Sequence, residues 1–172
     1  MIFYSGFSLK NETHYFDNFL EKSLYSVAGF SYGSIKAAHY ALEATHRIDT
    51  LQLFSPAFFQ TQTEAFKKLQ LKGFVRSPQG YRESFLINCF SPYPVHDVEL
   101  NHEDNEENLR ELLYFEWTNE LMEAIRSKGV RIEVYLGLED RVIDVASTRE
   151  FFLPYATVTS IRRGNHFLQE GL

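Results

Sequence analysis

Hydrophobic and polar positions along the chain switch repeatedly between the two-residue repeat of a strand and the three-to-four-residue repeat of a helix. Short apolar or alternating runs predict five strands, at residues 2–5, 25–30, 50–54, 130–136 and 156–161. Helical spacing predicts helices at residues 12–23, 34–42 and 146–152, and a short terminal helix after residue 166. Strands that alternate with helices in this way usually pair in parallel, so the pattern predicts an α/β fold with a mostly parallel sheet.

The segment between the third and fourth predicted strands departs from this alternation. Residues 57–128 are helix-prone and contain no convincing β-branched strand. We therefore predict that residues 1–56 and 129–172 form one core, into which residues 57–128 are inserted as a helical lid that is not an independent domain. A chain of 172 residues is long enough for one such core and short for two.

The composition argues against several classes of protein. A formal net charge of −6 at pH 7 argues against general nucleic-acid binding, which needs a basic face to displace counterions from phosphates. Because Cys89 is the single cysteine, no intramolecular disulfide and no cysteine-ligated metal cluster can form, and we expect no metal and no cofactor. The N-terminus lacks the pattern of a signal peptide, and no run approaches the ~20 apolar residues of a membrane span. We therefore expect a soluble, cytoplasmic protein.

A Gly-x-Ser-x-Gly motif occupies residues 29–33, between the second predicted strand and the helix that follows it. A serine in this context lies on a tight strand-to-helix turn and projects its hydroxyl above the edge of the sheet. The glycines are needed because a side chain at either position would collide with the neighbouring backbone. We therefore predict that Ser31 is a nucleophile. The alternative for the motif by itself is a plain Gly-Ser turn.

An acid and a histidine follow later strands in the chain order that enzymes with this turn use, which is serine, then acid, then histidine. Asp140 comes just after the fourth predicted strand and His166 just after the fifth. An imidazole can take the serine proton and return it to a leaving group, and a carboxylate holds the imidazole in the required tautomer. Glu139 and Asp144 compete with Asp140, but Asp144 is better placed to cap the next helix. The predicted catalytic residues are thus Ser31, Asp140 and His166.

Such a nucleophile also needs two backbone N–H groups that bind the oxyanion of a tetrahedral intermediate. The residue after the nucleophile supplies one of them, and the turn after the first strand supplies the other. Tyr32 and Phe7 occupy these positions, so we predict that their amides form the oxyanion hole. For Phe7 the alternative is an ordinary apolar loop residue.

Six segments carry a resemblance to a known family, at residues 3–7, 29–37, 53–56, 65–71, 132–141 and 165–169. The motif at residues 29–33 is generic, whereas residues 66–71, Phe-Lys-Lys-Leu-Gln-Leu, are far more particular. On these residues the chain resembles the short BioV-type pimeloyl-[acyl-carrier-protein] methyl ester esterases of biotin synthesis. The resemblance implies an α/β-hydrolase fold with an inserted helical lid, whose mostly parallel sheet lacks the N-terminal antiparallel strands of full-size members.

The resemblance also implies an activity. The implied enzyme is a serine carboxylesterase that hydrolyses the methyl ester of pimeloyl-[acyl-carrier-protein] methyl ester and releases pimeloyl-[acyl-carrier-protein] and methanol. It would use no cofactor, and its partner would be the acyl carrier protein. The residues leave open an acyl-[acyl-carrier-protein] thioesterase or another small-ester α/β-hydrolase, because the same triad attacks thioesters. A non-enzymatic acyl-binding module is a further alternative, against which the complete set of three side chains argues.

The first half of the predicted lid is basic. Residues 64–83 contain five basic and two acidic side chains, a local formal charge of +3 in an acidic protein. An acyl carrier protein is acidic, so complementary potential would speed and orient its docking on such a face. The predicted docking residues are Lys67, Lys68, Lys72, Arg76 and Arg82. The alternative is that they are solvated helix charges.

Overall fold

The structure of the protein is a computed structural model that describes residues 1–170. The strands in this range are β1 (Ile2–Tyr4), β2 (Leu9–Lys10), β3 (Ser26–Phe30), β4 (Thr50–Phe54), β5 (Glu99–Leu100), β6 (Arg131–Gly137) and β7 (Thr157–Ile161). The helices are α1 (Tyr32–Glu43), α2 (Glu64–Arg76), α3 (Pro78–Phe90), α4 (Glu106–Tyr114), α5 (Asn119–Ser127) and α6 (Val145–Phe152). Within the described residues, five parallel strands form the main sheet in the order β1-β3-β4-β6-β7, and β2 pairs with β5 in a small antiparallel sheet.

The main sheet confirms the predicted α/β class. Each of the five predicted strands is present, and the one predicted at residues 50–54 coincides with β4. β3 and β4 lie in the middle of the sheet and are buried along their whole length. Successive side chains of a strand point to opposite faces, so Leu51 and Leu53 join the core cluster on the α1 face while Phe54 joins the cluster on the other face. The sheet is therefore covered on both sides.

Residues 57–128, which we call the insertion, lie between β4 and β6 and contain α2 to α5. Helix α2 packs against both α3 and α4. The side chains of Thr63, Asn105 and Thr118 cap α2, α4 and α5 by accepting hydrogen bonds from amides of the first turn, which fixes where these helices begin. The insertion also contains a strand that the sequence did not predict, because the two residues of β5 are held by pairing with β2 rather than by strand propensity.

The helix predicted at residues 12–23 is wrong, since only a short 3₁₀ helix forms, at Glu12–Phe16. Of the apolar residues that produce the helical spacing, Phe16 and Leu20 are buried and the other two are half-buried, and all four pack in a cluster rich in aromatic rings. The ring centroid of Phe16 lies 4.7 Å from that of Phe54 and 4.9 Å from that of Phe30. Tertiary packing of these rings therefore overrides the local helical pattern.

The terminal helix predicted after residue 166 is also wrong for the residues up to 170. The side-chain Oδ1 of Asn165 accepts hydrogen bonds from the amides of Phe167 and Gln169, both at 3.0 Å. A short polar side chain that bonds nearby amides in this way offers the backbone an alternative to a helix. Residues 171 and 172, the last two of the predicted core, lie outside the described residues.

Candidate active site

The Gly-x-Ser-x-Gly motif forms the turn, or elbow, between β3 and α1. Ser31 has φ of 51° and ψ of −115°, a conformation that a residue other than glycine keeps only where its surroundings impose it. A Cβ atom on Gly33 would lie 2.0 Å from the carbonyl oxygen of Tyr4, and one on Gly29 would lie 2.2 Å from the carbonyl oxygen of Gly33. Both glycines are therefore required, because the elbow is packed backbone against backbone.

The turns after β6 and β7 bring Asp140 and His166 together. Nδ1 of His166 lies 2.6 Å from Oδ2 of Asp140, and both side chains are fully buried. Oδ1 of Asp140 accepts hydrogen bonds from the amides of Val142 and Ile143, at 2.7 and 3.3 Å, so the carboxylate is held in one orientation. A carboxylate at Nδ1 favours the neutral tautomer that carries its proton there. Nε2 is then left as the proton acceptor of the ring.

The two competing acids lie elsewhere. The Asp144 side chain caps α6 and accepts a hydrogen bond from the amide of Ser147 at 3.1 Å. The Ser147 hydroxyl donates a second hydrogen bond, to Oδ2 of Asp144 at 2.7 Å. The bond from the hydroxyl and the bond from the amide lower the pKa of Asp144. Glu139 is exposed. Of the three acids after β6, Asp140 is thus the one that contacts the imidazole.

Ser31 and His166 are both buried, at 1% and 0% exposed. Within the described residues, neither Oγ of Ser31 nor Nε2 of His166 has a hydrogen-bond partner. The serine–histidine hydrogen bond of a complete triad is therefore not formed in this conformation. His166 nevertheless lies beside the elbow, because its ring centroid is 4.9 Å from that of Phe30, the residue before Ser31. Unpaired polar atoms at this depth are rare, and these two keep the hydrogen-bonding capacity that the predicted chemistry needs.

Phe7 and Tyr32, the two predicted oxyanion residues, come together at the start of α1. Their ring centroids are 6.3 Å apart. Phe7 lies in the turn after β1, and Tyr32 is the first residue of α1. Neither amide donates a hydrogen bond to another of the residues that the structure describes. Amides with no partner, one of them at a helix N-terminus, suit a negative charge that develops nearby.

The Tyr32 side chain has contacts that the sequence reasoning missed. Its hydroxyl donates a hydrogen bond to the carboxylate of Glu111 and accepts one from Nδ2 of Asn108 at 3.3 Å. Burial, together with the bond to Glu111, raises the pKa of the Tyr32 phenol. Both partners lie on α4, so Tyr32, the residue after the elbow serine, is hydrogen-bonded to the insertion. The sequence signal for these contacts is weak: the two partners are three residues apart, which places them on one face of a helix.

A cavity of about 130 Å³ lies between the insertion and the loops that carry the candidate site. Helices α2, α3 and α4 line it with mainly apolar side chains, and the core contributes Phe7 and Val142. Gln70, Asn88 and Arg141 add polar groups to the wall. Since Ser31 is buried, a substrate reaches its hydroxyl only if some of the residues that cover it move.

The predicted docking residues separate into two groups. Lys68, Lys72 and Arg76 are exposed. Together with Arg110 of α4 they line an open groove of about 460 Å³ between α2 and α4. The groove also contains one acid, Glu106, which forms a salt bridge with Arg110 at 2.8 Å. Val75, which is 60% exposed, lies in the same groove. We call this surface the basic groove; it combines positive charge with exposed apolar area.

Arg82 and Lys67 are buried, at 7% and 8% exposed, so the prediction that they belong to a docking face is wrong. Nε of Arg82 donates to Oγ of Ser8 at 3.0 Å, and Nη2 donates to the carbonyl oxygen of Asp104 at 2.7 Å. Nζ of Lys67 lies 4.9 Å from the ring centre of Tyr114. A count of charges cannot detect this, because burial depends on which face of a helix meets the rest of the molecule.

Metal ligation, membrane insertion and the reactivity of the Cys89 thiol each bear on what the protein can do. Within residues 1–170, no group of three or more His, Cys, Asp or Glu side chains is arranged to hold a metal ion. None of the helices in that range combines the length and the apolar character needed to cross a bilayer. Burial raises the pKa of the Cys89 thiol well above its ordinary value, so this side chain does not offer a thiolate near neutral pH.

No protein-family model matches this chain, and no curated protein matches it either. Solved structures do match. BioG from Haemophilus influenzae is 12% identical, with a TM-score of 0.60, over 97% of this chain and 88% of that chain. Naproxen esterase (carboxylesterase NP) from Bacillus subtilis is 20% identical, with a TM-score of 0.56, over 94% and 61%. A hydrolase from Oleispira antarctica, olei00960, is 13% identical, with a TM-score of 0.61, over 83% and 58%.

These similarities and the five-stranded parallel sheet show that the protein has an α/β-hydrolase fold. At such low identities they show the fold alone. The chain spans most of the length of BioG but less than two thirds of the carboxylesterase and of the Oleispira hydrolase.

Proposed function

We propose that the protein is a serine carboxylesterase that hydrolyses the methyl ester of pimeloyl-[acyl-carrier-protein] methyl ester, with release of methanol, in biotin synthesis. The observation that carries the esterase assignment is the buried pair of Asp140 and His166, 2.6 Å apart, beside the strained Ser31 of the elbow. The fold, shared with a carboxylesterase, supports the same class of reaction. The choice of substrate rests on the resemblance carried by residues 66–71 and the other matching segments.

Each candidate side chain has a role in the proposed first half-reaction. The hydroxyl of Ser31 and the ring of His166 first close to hydrogen-bonding distance. Oγ of Ser31 then attacks the ester carbonyl while Nε2 of His166 takes the hydroxyl proton, and Asp140 stabilises the imidazolium. The amides of Phe7 and Tyr32 bind the oxyanion. The intermediate collapses as His166 returns the proton to the methoxy oxygen, and methanol leaves behind an acyl-enzyme.

Water completes the proposed reaction. Nε2 of His166 takes a proton from the water molecule that attacks the acyl-enzyme carbonyl, and then returns a proton to Oγ of Ser31. The product carries a free carboxylate at the end that was esterified, and its other end is still attached to the carrier.

Two surfaces of the insertion support an acyl carrier protein as the bearer of the substrate. The apolar wall of the 130 Å³ cavity suits a methylene chain. The basic groove presents Lys68, Lys72, Arg76 and Arg110 to solvent, and complementary charge steers an acidic partner toward such a surface. Together they would accommodate an apolar chain that an acidic protein delivers.

The test incubates the purified protein with methyl pimeloyl-carrier and measures methanol and acyl-carrier separately. We expect methanol and intact pimeloyl-carrier, and Ser31→Ala should lower the rate on the order of 10⁴-fold or more. Loss of the acyl group from the carrier would instead identify a thioesterase. Unchanged turnover in Ser31→Ala would end the assignment of Ser31 as the nucleophile. A wild-type protein that neither turns over the substrate nor is labelled at Ser31 by a fluorophosphonate would instead favour a non-enzymatic acyl-binding module. In cells, the gene should restore growth without biotin to a host that lacks its own pimeloyl methyl esterase.

A matched pair of variants extends this test to the acid. Asp140→Asn should lower kcat on the order of 10³- to 10⁴-fold, because an amide at this position no longer holds the imidazole in the required tautomer. Asp144→Asn removes the charge of a nearby acid but keeps a good cap for α6, so its kcat should equal that of the wild type. Equal kcat values in the two variants would reject Asp140 as the acid.

A further inference from the structure

The turn after β1 is held on both sides of Phe7. Before it, the amide of Gly6 donates to Oε1 of Glu12 at 2.8 Å. After it, Ser8 has φ of 56°, which a residue other than glycine keeps only where its surroundings impose it. The Phe7 amide, which we assign to the oxyanion hole, thus lies between two fixed residues.

All three polar groups of Ser8 are bonded to residues of the insertion. Its amide donates to Oδ2 of Asp104 at 2.6 Å. Its carbonyl oxygen accepts from the amide of Asn101 at 2.8 Å, and its hydroxyl accepts from Nε of Arg82 at 3.0 Å. Ser8 is 1% exposed, so water does not compete for these bonds and each is stronger than it would be at the surface.

Arg82 joins these contacts into one unit. While its Nε holds Ser8, its Nη2 donates to the carbonyl oxygen of Asp104 at 2.7 Å. The guanidinium carbon lies 5.1 Å from the ring centre of Phe74, whose ring in turn lies 5.9 Å from that of Phe7. A planar guanidinium can hold two acceptors in a fixed relation, which an ammonium group cannot.

We propose that Arg82 is a positioning residue that fixes the contact between Ser8 and Asp104 and thereby sets the direction of the Phe7 amide in the oxyanion hole. The proposal rests on the esterase function proposed above. In this proposal Arg82, a side chain of the insertion, is needed to orient the Phe7 amide, an oxyanion donor of the core. The proposal also explains why a cationic side chain is buried at this point of α3, away from any docking surface.

Steady-state kinetics on a small ester, p-nitrophenyl butyrate, give the first readout. Arg82→Met should lower kcat about 10- to 100-fold, somewhat less than the loss of a whole oxyanion donor, with little change in KM. A trifluoromethyl ketone that forms a tetrahedral adduct with Ser31 should bind more weakly by a similar factor. Arg82→Lys should recover part of the loss, because an ammonium can replace one of the two donors. Arg149→Met, which changes an exposed arginine of α6, is the control.

Ser8→Ala is a second, gentler variant that removes only the hydroxyl acceptor. It should lower kcat and ketone affinity in the same direction as Arg82→Met. The double variant should be no worse than Arg82→Met alone, because both changes act through one contact. A merely structural role would lower the Tm of these variants and leave the ketone affinity of the folded protein unchanged.

Amide hydrogen exchange needs no turnover and separates this proposal from the proposed function. Arg82→Met should speed exchange at residues 6–9 at least about 10-fold relative to Arg149→Met, because the turn loses its anchor. A wild-type protein without esterase activity would contradict the proposed function and leave this expectation standing. Unchanged exchange at the turn, or an Arg82→Met protein with wild-type kcat and ketone affinity, would overturn the positioning role.

Discussion

Glu12 is a buried carboxyl group directly beneath the turn that carries the proposed oxyanion amide. Its side chain is 0% exposed, and Oε1 accepts the hydrogen bond from the amide of Gly6. Within the described residues Oε2 has no partner. Burial raises the pKa of Glu12 above its ordinary value of 4.5, although the hydrogen bond from Gly6 opposes the shift. The structure therefore favours the neutral form of this acid more strongly than the unfolded chain does.

The raised pKa predicts a pH-dependent effect of Glu12→Gln on stability. Well below pH 4.5 Glu12 is protonated in both the folded and the unfolded state, so its pKa shift does not affect the free energy of unfolding. As the pH rises from 4.5 towards the folded pKa, the unfolded chain loses the proton of Glu12 while the folded state still keeps it, so this residue progressively lowers the free energy of unfolding. Glutamine keeps an acceptor for Gly6 and cannot ionise. The free energy of unfolding of the variant, measured by denaturant titration, should therefore rise relative to that of the wild type as the pH increases above 4.5, until Glu12 ionises in the folded state. A difference that is constant with pH would contradict it.

At the level of secondary-structure elements, the elbow requires a close approach between α1 and β1. Gly33 lies in the first turn of α1, where a Cβ atom would be 2.0 Å from the carbonyl oxygen of Tyr4. Neither group can move away cheaply, because both belong to backbone that is fixed by the sheet or the helix. Gly73 is a contrasting case in the middle of α2, where a Cβ atom would meet only the Tyr81 ring at 3.5 Å.

These two glycines predict opposite outcomes for the same change. Gly33→Ala should lower the free energy of unfolding by roughly 1–3 kcal/mol or more and abolish esterase activity, because β1 and the elbow are forced apart. Gly73→Ala should raise it by up to about 1 kcal/mol, the helix-propensity difference between the residues. Thermal unfolding and ester hydrolysis measure both effects. An active, stable Gly33→Ala protein would show that the close approach is not required.

The sequence predicts elements well where one local cause dominates. The strand at residues 50–54 places leucines at alternate positions and ends just before a Ser-Pro pair, and the glycines of residues 29–33 specify a tight turn. Asp140 and His166 follow strands, and parallel strands bring such positions to one edge. Prediction fails where tertiary contacts decide. Nothing local reveals that the Phe16 ring stacks on Phe54 instead of extending a helix.

At the scale of the whole molecule, the basic residues of the insertion divide into buried residues and an exposed surface, although they lie in one segment of the sequence. From the sequence, the basic segment of residues 64–83 is expected to form one surface. In the structure, Arg82 is buried against Ser8, whereas the basic groove contains Lys68, Lys72 and Arg76. Arg110, distant in sequence and set among acidic residues, completes that groove from α4. Helix packing, which sequence periodicity does not specify, decides both outcomes.

The basic groove predicts a selective loss of activity toward a carrier-linked substrate. Changing Lys68, Lys72 and Arg76 together to Glu should lower kcat/KM for methyl pimeloyl-carrier about 10- to 100-fold at low salt, because the groove would then repel an acidic partner. The loss should shrink in ~0.5 M salt, where screening acts over a few ångströms. The rate with p-nitrophenyl butyrate should stay unchanged, since a small neutral ester needs no docking face.

A control with the same change in net charge isolates the groove from general electrostatics. Three exposed basic residues lie outside the groove: Lys22, Arg149 and Arg162. Changing all three to Glu should leave the activity toward both substrates close to that of the wild type. If this control loses as much activity toward the carrier-linked substrate as the groove variant, overall charge governs the encounter. If the groove variant loses as much with the small ester as with the carrier-linked one, the groove supports the catalytic structure and does not dock the carrier.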